Sequence, residues 1–400
     1  MLTGRGRGVL ALGLGVYFGA WAFGSKPLYP VATGLLLVVV LAWLWVRLAN
    51  RPFQVRRGWG DSEHVEGDDV PVIVELEASG QVGPAAATLV ERVGKLGEQR
   101  QPLRRYGRRL SARYVLERLP RGRYAFDGVR VEIADPFGLE RVSMPLPAPG
   151  ALLVYPRLVR LGRLFSETGA HSHDGRRLLL RRQTGFELHG VREYAQGESL
   201  RHVHWRSTAR RGQLMVKELE DAPRDEIAVL LDADATAVVG QSFDVQVRAA
   251  GSILESYVRR SRRAVLVVNS DRREVQQVHS IAADWRRALE LLAAAEPTGR
   301  STVARLLEEH DGPAARALEL AVVTARLEPE LVDRLVQRAA AHRKVSLVLV
   351  DPASFNGARR RPEPLLLRLH AAGIPVATVR AGDELASALE GQLVEAVAHA

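Results

Sequence analysis

The sequence predicts a multidomain protein with two N-terminal transmembrane helices, a β-sandwich domain and a C-terminal doubly wound α/β domain. Three observations carry this expectation. Between residues 8 and 46 the only charged side chain is Lys26. Residues 53–156 consist of short alternating stretches broken by Gly and Pro, the pattern of a small antiparallel sandwich. From 223 onward, apolar strand-like runs alternate with helical periods, which implies a mainly parallel sheet. At 400 residues the chain is longer than one core usually accommodates, and its 46% hydrophobic and 26% charged residues are ordinary for globular domains.

The apolar runs 8–24 and 28–46 are each just long enough for a bilayer core, which takes roughly 17–25 residues. Ser25-Lys26-Pro27 between them suits a helical hairpin over 8–46. Trp21, Tyr29, Trp43 and Trp45 lie near the run ends, where amphipathic rings prefer the interface. Arg5 and Arg7 precede the first run and Arg47, Arg51, Arg56 and Arg57 follow the second, against one lysine in the turn. The positive-inside rule then gives a two-pass protein of the cell membrane with both soluble domains cytoplasmic. A cleaved signal peptide also starts with basic residues and an apolar stretch. The second, longer run and the arginines after it argue against secretion. The absence of cysteine decides nothing about compartment.

A net charge of +10 raises the question of nucleic acid. Lysine occurs only at 26, 95, 217 and 344, and the arginines are spread along the chain among acids. A basic surface beside the lipid bilayer is the simpler account, and no specific nucleic-acid partner is expected.

Within 53–156, residues 70–76, 111–116 and 129–133 read as strands, separated by turns such as Pro120-Arg121-Gly122 and Asp127-Gly128. Asp135-Pro136-Phe137-Gly138 is a further turn, and 152–156 closes the region. No group of His, Glu or Asp recurs there at a catalytic spacing, so an interaction module and a spacer remain equally open. Residues 157–222 read as a linker that leads into an unusual segment. His171, His173 and Asp174 lie close together but lack the further ligands a metal needs.

The segment 190–212 combines Arg192, Glu193, Tyr194, Gly197, Glu198, Arg201, His204, Trp205, Ala209 and Arg210. It closely resembles the signature of the family catalogued as domain of unknown function fifty-eight, with Glu198 where members carry aspartate. The hairpin, Arg121-Gly122-Arg123-Tyr124, Asp135-Pro136-Phe137-Gly138-Leu139 and Val154-Tyr155-Pro156 match further landmarks of that family. Physically, Arg192, Arg201, Arg206 and Arg210 offer planar forks suited to carboxylates or phosphates. The preferred reading is an internal ion-pair network with Glu193 and Glu198, packed on Tyr194 and Trp205. The other is a docking surface for an acidic partner. His202 and His204 alternate as on a strand.

In the last region (223–400), strands are expected at 227–231, 264–268, 321–323, 345–350 and 375–379, with helices at 246–260, 281–295, 329–341 and 383–398. The family resemblance implies that this domain is similar to von Willebrand factor A domains, whose adhesion-type metal site follows the first strand. Here that place holds Asp232, Asp234 and Thr236, with Ser301 or Thr302 as the loop residue. Asp234 stands where a serine is usual, and the strand at 321–323 is followed by Thr324-Ala325-Arg326 with no aspartate. The expectation is a degenerate site for Mg or Ca, or a helix-capping role for Asp232.

Phosphate-loop, dinucleotide-binding and nucleophile-elbow motifs are absent from the sequence, as is any cysteine nucleophile. The chain therefore reads as a non-catalytic, membrane-tethered scaffold that needs no cofactor. The resemblance implies two partners, a MoxR-type AAA+ ATPase and a transglutaminase-like membrane protein, in assembly or maturation of other proteins. The alternatives are a metal-dependent enzyme using Asp232 and Asp234, or a basic-surface binder of nucleic acid or anionic lipid.

Overall fold

The structure is a computed structural model. It describes all residues except 51–52, 61, 79–85, 108, 168–185, 195–202, 222–226, 310–311, 359–363 and 392–400. For 78, 86, 186–192 and 217–221 it describes the backbone alone. The chain divides into two compact units, Met1–Tyr155 and Pro156–Ala400.

The first unit begins with helices α1 (Gly4–Ala22) and α2 (Leu28–Ala49). Thr3 caps α1, its hydroxyl accepting from Gly6 N–H at 3.1 Å. The helices meet along a seam of small side chains at heptad spacing. Gly13 and Ala20 are buried on α1, and Ala32, Val39 and Val46 on α2, while Gly6 is buried against Leu139. Small residues let two backbones approach, as in membrane helix pairs. α2 is long and apolar enough to cross a membrane. α1 starts at Gly4 rather than at the predicted residue 8, so Arg5 and Arg7 fall inside it. Those arginines and its glycines dilute its apolar character below that of α2.

Ten strands follow: β1 (Phe53–Gly58), β2 (His64–Val65), β3 (Val70–Ala78), β4 (Ala86–Val93), β5 (Gly97–Pro102), β6 (Arg104–Tyr106), β7 (Arg109–Leu116), β8 (Gly122–Ala134), β9 (Arg141–Leu146) and β10 (Gly150–Tyr155). One sheet runs β1-β3-β7-β6 and a second runs β2-β10-β8-β4-β5, with β9 also on β8. The period-two pattern explains the burial. Val70, Val72, Val74 and Leu76 of β3 and Leu110, Ala112, Tyr114 and Leu116 of β7 point inward between exposed or half-buried neighbours. They share one core with Leu89, Phe126, Val131 and Leu152 of the second sheet.

The second unit opens with 157–167, which was expected to be linker. Leu161, Leu164 and Phe165 are instead buried in its core. An irregular segment has no period for its apolar residues to reveal. An antiparallel ribbon follows, β11 (Phe186–Glu193) with β12 (Met215–Asp221), and helix α3 (Trp205–Arg211) lies between them in sequence.

The α/β portion comprises β13 (Ile227–Asp232), α4 (Ser242–Arg259), β14 (Ala264–Asn269), β15 (Glu274–Val278), α5 (Trp285–Ala294), α6 (Val303–Glu308), α7 (Pro313–Arg316), β16 (Glu319–Thr324), α8 (Pro329–Ala340), β17 (Lys344–Val350), α9 (Pro364–Ala371), β18 (Val376–Val379) and α10 (Leu385–Glu390). The sheet order is β15-β14-β13-β16-β17-β18, parallel except for the edge strand β15. That strand was not anticipated, because its half-exposed alternating residues include Gln276 and Gln277. β13 is buried throughout, as expected for a strand covered on both faces. Val229 and Leu231 pack with α4 and α5, while Ala228 and Leu230 pack with α6 and α8. Chain order places β14 on one side of β13 and β16 on the other. The topological switch point therefore lies between β13 and β16, at the strand carboxyl ends where such sheets usually place a site.

Candidate functional site

Two features of the second unit hold the residues singled out by the sequence. The first is α3. Its inward side is tied to β12: Met215 N–H donates to Thr208 Oγ1 at 3.0 Å, and His204 N–H donates to Met215 O at 2.8 Å. Tyr194 N–H donates to Leu214 O at 2.9 Å, and Val203 and Met215 are buried. His204 is the N-cap, with Nδ1 accepting from Ser207 N–H at 3.3 Å and lying 2.8 Å from the Ser207 hydroxyl. It caps a helix and does not continue a strand.

Helical geometry gathers 205, 206, 209 and 210 within an arc of about 140°. Trp205, Arg206, Ala209 and Arg210 are all exposed, with Trp205 69% accessible. Arg206, Arg210 and Arg211 make no ion pair among the described residues. The expectation that Trp205 anchors an internal network is thus corrected: the short helix spends Ser207 on its N-cap His204 and Thr208 on the ribbon, and turns Trp205 outward. Glu193 is exposed and Tyr194 half-buried. The side chain of Arg192, and residues Gly197, Glu198, Arg201 and His202, lie outside the described residues, as do His171, His173 and Asp174.

The second feature is the carboxyl edge of the sheet at the switch point. Asp232 ends β13 and is 6% exposed. Thr324 Oγ1, from the end of β16, donates to its Oδ2 at 2.7 Å, and Asn269 Nδ2, from the end of β14, approaches its Oδ1 at 3.3 Å. Burial pushes the Asp232 carboxyl up to about 6, against the pull of the Thr324 and Asn269 hydrogen bonds, and the nearby Asp234 charge adds to the rise. Asn269 also donates to Ser301 O at 2.8 Å, which ties in the loop before α6. Gly299 of that loop bonds Ala233 O through its N–H at 2.8 Å. A Cβ there would lie 2.3 Å from Asn269 O, so only glycine allows this crossing.

Outside the buried aspartate, Asp234 Oδ1 accepts from Thr236 N–H and Thr236 Oγ1, both at 2.8 Å. Arg326, two residues after β16, reaches over this turn. Its Nη1 lies 3.2 Å from Asp234 Oδ2 and 3.0 Å from Thr236 Oγ1, and its Nε 2.9 Å from Glu328 Oε1. Thr302 is turned to another task, capping α6 by accepting from Arg305 N–H at 3.3 Å.

In this arrangement Asp232 is engaged by Thr324 and Asn269, Asp234 and Thr236 by each other and by Arg326, and Thr302 by the backbone of α6. No group of three or more His, Asp or Glu among the described residues could hold a metal. The Arg326 guanidinium sits on oxygens of two of the four, Asp234 and Thr236.

Residues 190–356 match the family described as Protein of unknown function DUF58. The matched span contains both features, from α3 to the sheet edge. The chain is also similar to the Bacillus subtilis (strain 168) protein named "Uncharacterized protein YeaD", 26% identical over 234 residues that cover 57% of this chain and 56% of the relative. The chain thus spans about half the length of that curated relative. Among solved structures, similarity was found to the PilB minor pilin from Streptococcus sanguinis, with TM-score 0.29, 6% identity and coverage of 81% of this chain and 89% of that one. A conjugative transposon lipoprotein from Bacteroides eggerthii gives TM-score 0.16 and 15% identity, covering 25% of this chain and 96% of that one. Scores this low assign no shared fold.

Sequence reasoning placed Asp232, Asp234 and Thr236 on the loop after the first strand, and they meet there. It noted Thr324 and Arg326 only as standing where an aspartate is missing, and passed over Asn269. The signal for Thr324 and Asn269 was their position at the last residue of strands adjacent to β13. Arg326 had no such signal, because its role depends on where a long side chain reaches.

Proposed function

We propose that this chain is a membrane-tethered, non-catalytic interaction protein whose α/β domain is von Willebrand factor A-like and docks an acidic partner through α3. The observation that carries the reading is the outward face of α3, where Trp205 stands beside Arg206 and Arg210, which make no ion pair among the described residues. Aromatic and arginine side chains are the residue types that dominate interface energetics, and exposed guanidinium groups suit carboxylates. The partner suggested by the family resemblance is a MoxR-type AAA+ ATPase, with a transglutaminase-like membrane protein in the same assembly. In this reading α1 and α2 form a two-pass anchor, and both soluble units lie in the cytoplasm beside that ATPase.

The test uses the full chain in detergent, immobilised, with purified MoxR-type ATPase in solution. Trp205→Ala and Arg210→Glu are each expected to weaken retention at least about tenfold, the loss of one hot-spot contact. Added salt weakens the parent as well. Equal retention of parent and variants removes docking through α3.

The competing reading, a metal-dependent enzyme using Asp232 and Asp234, has the guanidinium of Arg326 against it. Arg326 supplies in cis the positive charge that neutralises Asp234, which leaves the interaction surface independent of divalent ions. Calorimetry of the full chain with magnesium, calcium or manganese is expected to give no binding heat at millimolar metal. Saturable binding by the parent chain restores the enzyme reading.

A further inference from the structure

The turn between β8 and β9 is bound to the helical hairpin far along its length. Thr3 N–H donates to Leu139 O at 2.9 Å, and the Thr3 hydroxyl donates to Gly138 O at 2.7 Å. Leu2 bridges Glu140. Gly6 of α1 lies so close that a Cβ would stand 2.1 Å from Leu139 O. Leu139 is buried in one cluster with Val39 and Ala42 of α2, with Leu2, Val9, Leu10 and Val38 against it. Asp135, itself buried, shapes the turn by accepting from Phe137 N–H at 2.8 Å and Glu140 N–H at 2.6 Å. At its tip Phe137 is 68% exposed.

Axial lengths place this turn relative to a bilayer. Helices rise about 1.5 Å per residue, so Ala42 lies about 21 Å along α2 from Leu28. A hydrocarbon core is about 30 Å thick and takes roughly 20 residues of helix. A hydrocarbon core that begins at Leu28 therefore ends within about two helical turns of Ala42, near the turn that packs on it. The accessible surface of α2 says the same independently. Leu41, Trp43, Leu44, Trp45 and Leu48 are all exposed large apolar side chains at or beyond the level of the turn. Trp43 also carries Arg47 over its ring at 4.9 Å, an aromatic-cationic pair typical of the headgroup boundary. Arg5 and Arg7, exposed on either side of Gly6, stand at the same level.

From this geometry we infer that the Asp135–Glu140 turn is a membrane-interface anchor, with Phe137 inserted at the boundary between lipid headgroups and acyl chains. The occupant of this surface is the bilayer leaflet at the carboxyl end of α2, and the surrounding arginines favour anionic headgroups. The β domain is then held against the membrane at a third point besides the two helix ends. It is not a free spacer on a stalk. The inference rests on the reading of α2 as a membrane span.

Because the chain has no cysteine, single labels can be introduced without background. Phe137→Cys, Val115→Cys and Val40→Cys are each labelled with an environment-sensitive nitrobenzoxadiazole dye in the full chain, reconstituted in vesicles of phosphatidylcholine and phosphatidylglycerol. Val40 is an exposed residue of α2 and reports insertion of the span. Val115 is exposed in β7, at the end of its sheet opposite Phe53, and reports the aqueous side. The label at 137 is expected to emit blue-shifted from that at 115, and to be quenched more by doxyl groups near the headgroup than by those near the chain end. Emission at 137 matching that at 115, with 40 still quenched from the chain end, overturns the anchor and leaves the span standing. An unquenched label at 40 overturns the span itself, and the anchor with it.

Discussion

Arg57→Ala is expected to destabilise the first unit by about 3–5 kcal/mol, the cost of leaving a buried charge without its partner. Arg57 on β1 pairs with Glu91 on β4, from one sheet to the other, with side chains 5% and 0% exposed. Tyr114 on β7 donates its hydroxyl to Glu91 Oε2 at 2.5 Å, and Arg57 Nη1 donates to Ala148 O at 2.8 Å. The guanidinium lies 4.6 Å from the Phe126 ring, whose other neighbour, Trp59, stacks at 5.5 Å. Burial, then the hydrogen bond to Glu91, holds the Tyr114 phenol protonated well above its usual range. Removing Arg57 leaves Glu91 a bare carboxylate in a dry core. Denaturant unfolding of the detergent-solubilised chain measures the loss. Combining Arg57→Met with Glu91→Gln is expected to recover most of it, since both charges then leave together and Tyr114 keeps an acceptor. A loss below about 1 kcal/mol for Arg57→Ala would show that the pair is solvated.

Asp232→Asn is expected to flatten the pH dependence of the second unit's stability between about pH 4 and 6, and to stabilise it at neutral pH. The folded-state value near 6 lies above the ordinary 3.8. Between these values the folded chain holds a proton that the unfolded chain has released, so stability falls as pH rises. The contribution is complete below about pH 4 and lost above about pH 6, and amounts to about 3 kcal/mol. The asparagine keeps the shape without the buried charge, and its single oxygen can accept from Thr324, while its amide nitrogen cannot replace the acceptor for Asn269. Unfolding curves at several pH values decide it. An unchanged slope in the variant assigns the titration to another group.

Much of the architecture was legible because it rests on local patterns. The apolar strand at 227–231 lies within β13, and the helical period at 329–341 matches α8, since strand and helix periods are written in consecutive residues. The turn residues of 135–138 were equally plain. The ribbon of β11 and β12 was not, because its two strands are separated by 21 residues of mixed character, from Glu193 to Met215. Nor was the edge strand β15, where half-exposed polar residues imitate a loop.

The candidate site divides along the same line. Sequence alone determined that Asp232 follows the first buried strand, that Trp205 and its arginines form a dense segment, and that 28–46 is apolar enough to span a bilayer. Only the tertiary structure decided what those residues face. Strand order brought Thr324 and Asn269 to Asp232, and the reach of Arg326 put a guanidinium on Asp234. The pairing of α3 with β12 turned Trp205 to solvent, and the packing of Leu139 on Val39 and Ala42 set a β-turn against α2. The physical reason is range. Periodicity and turn chemistry act between near neighbours in the chain, whereas ion pairs and burial act between residues that only the fold brings together.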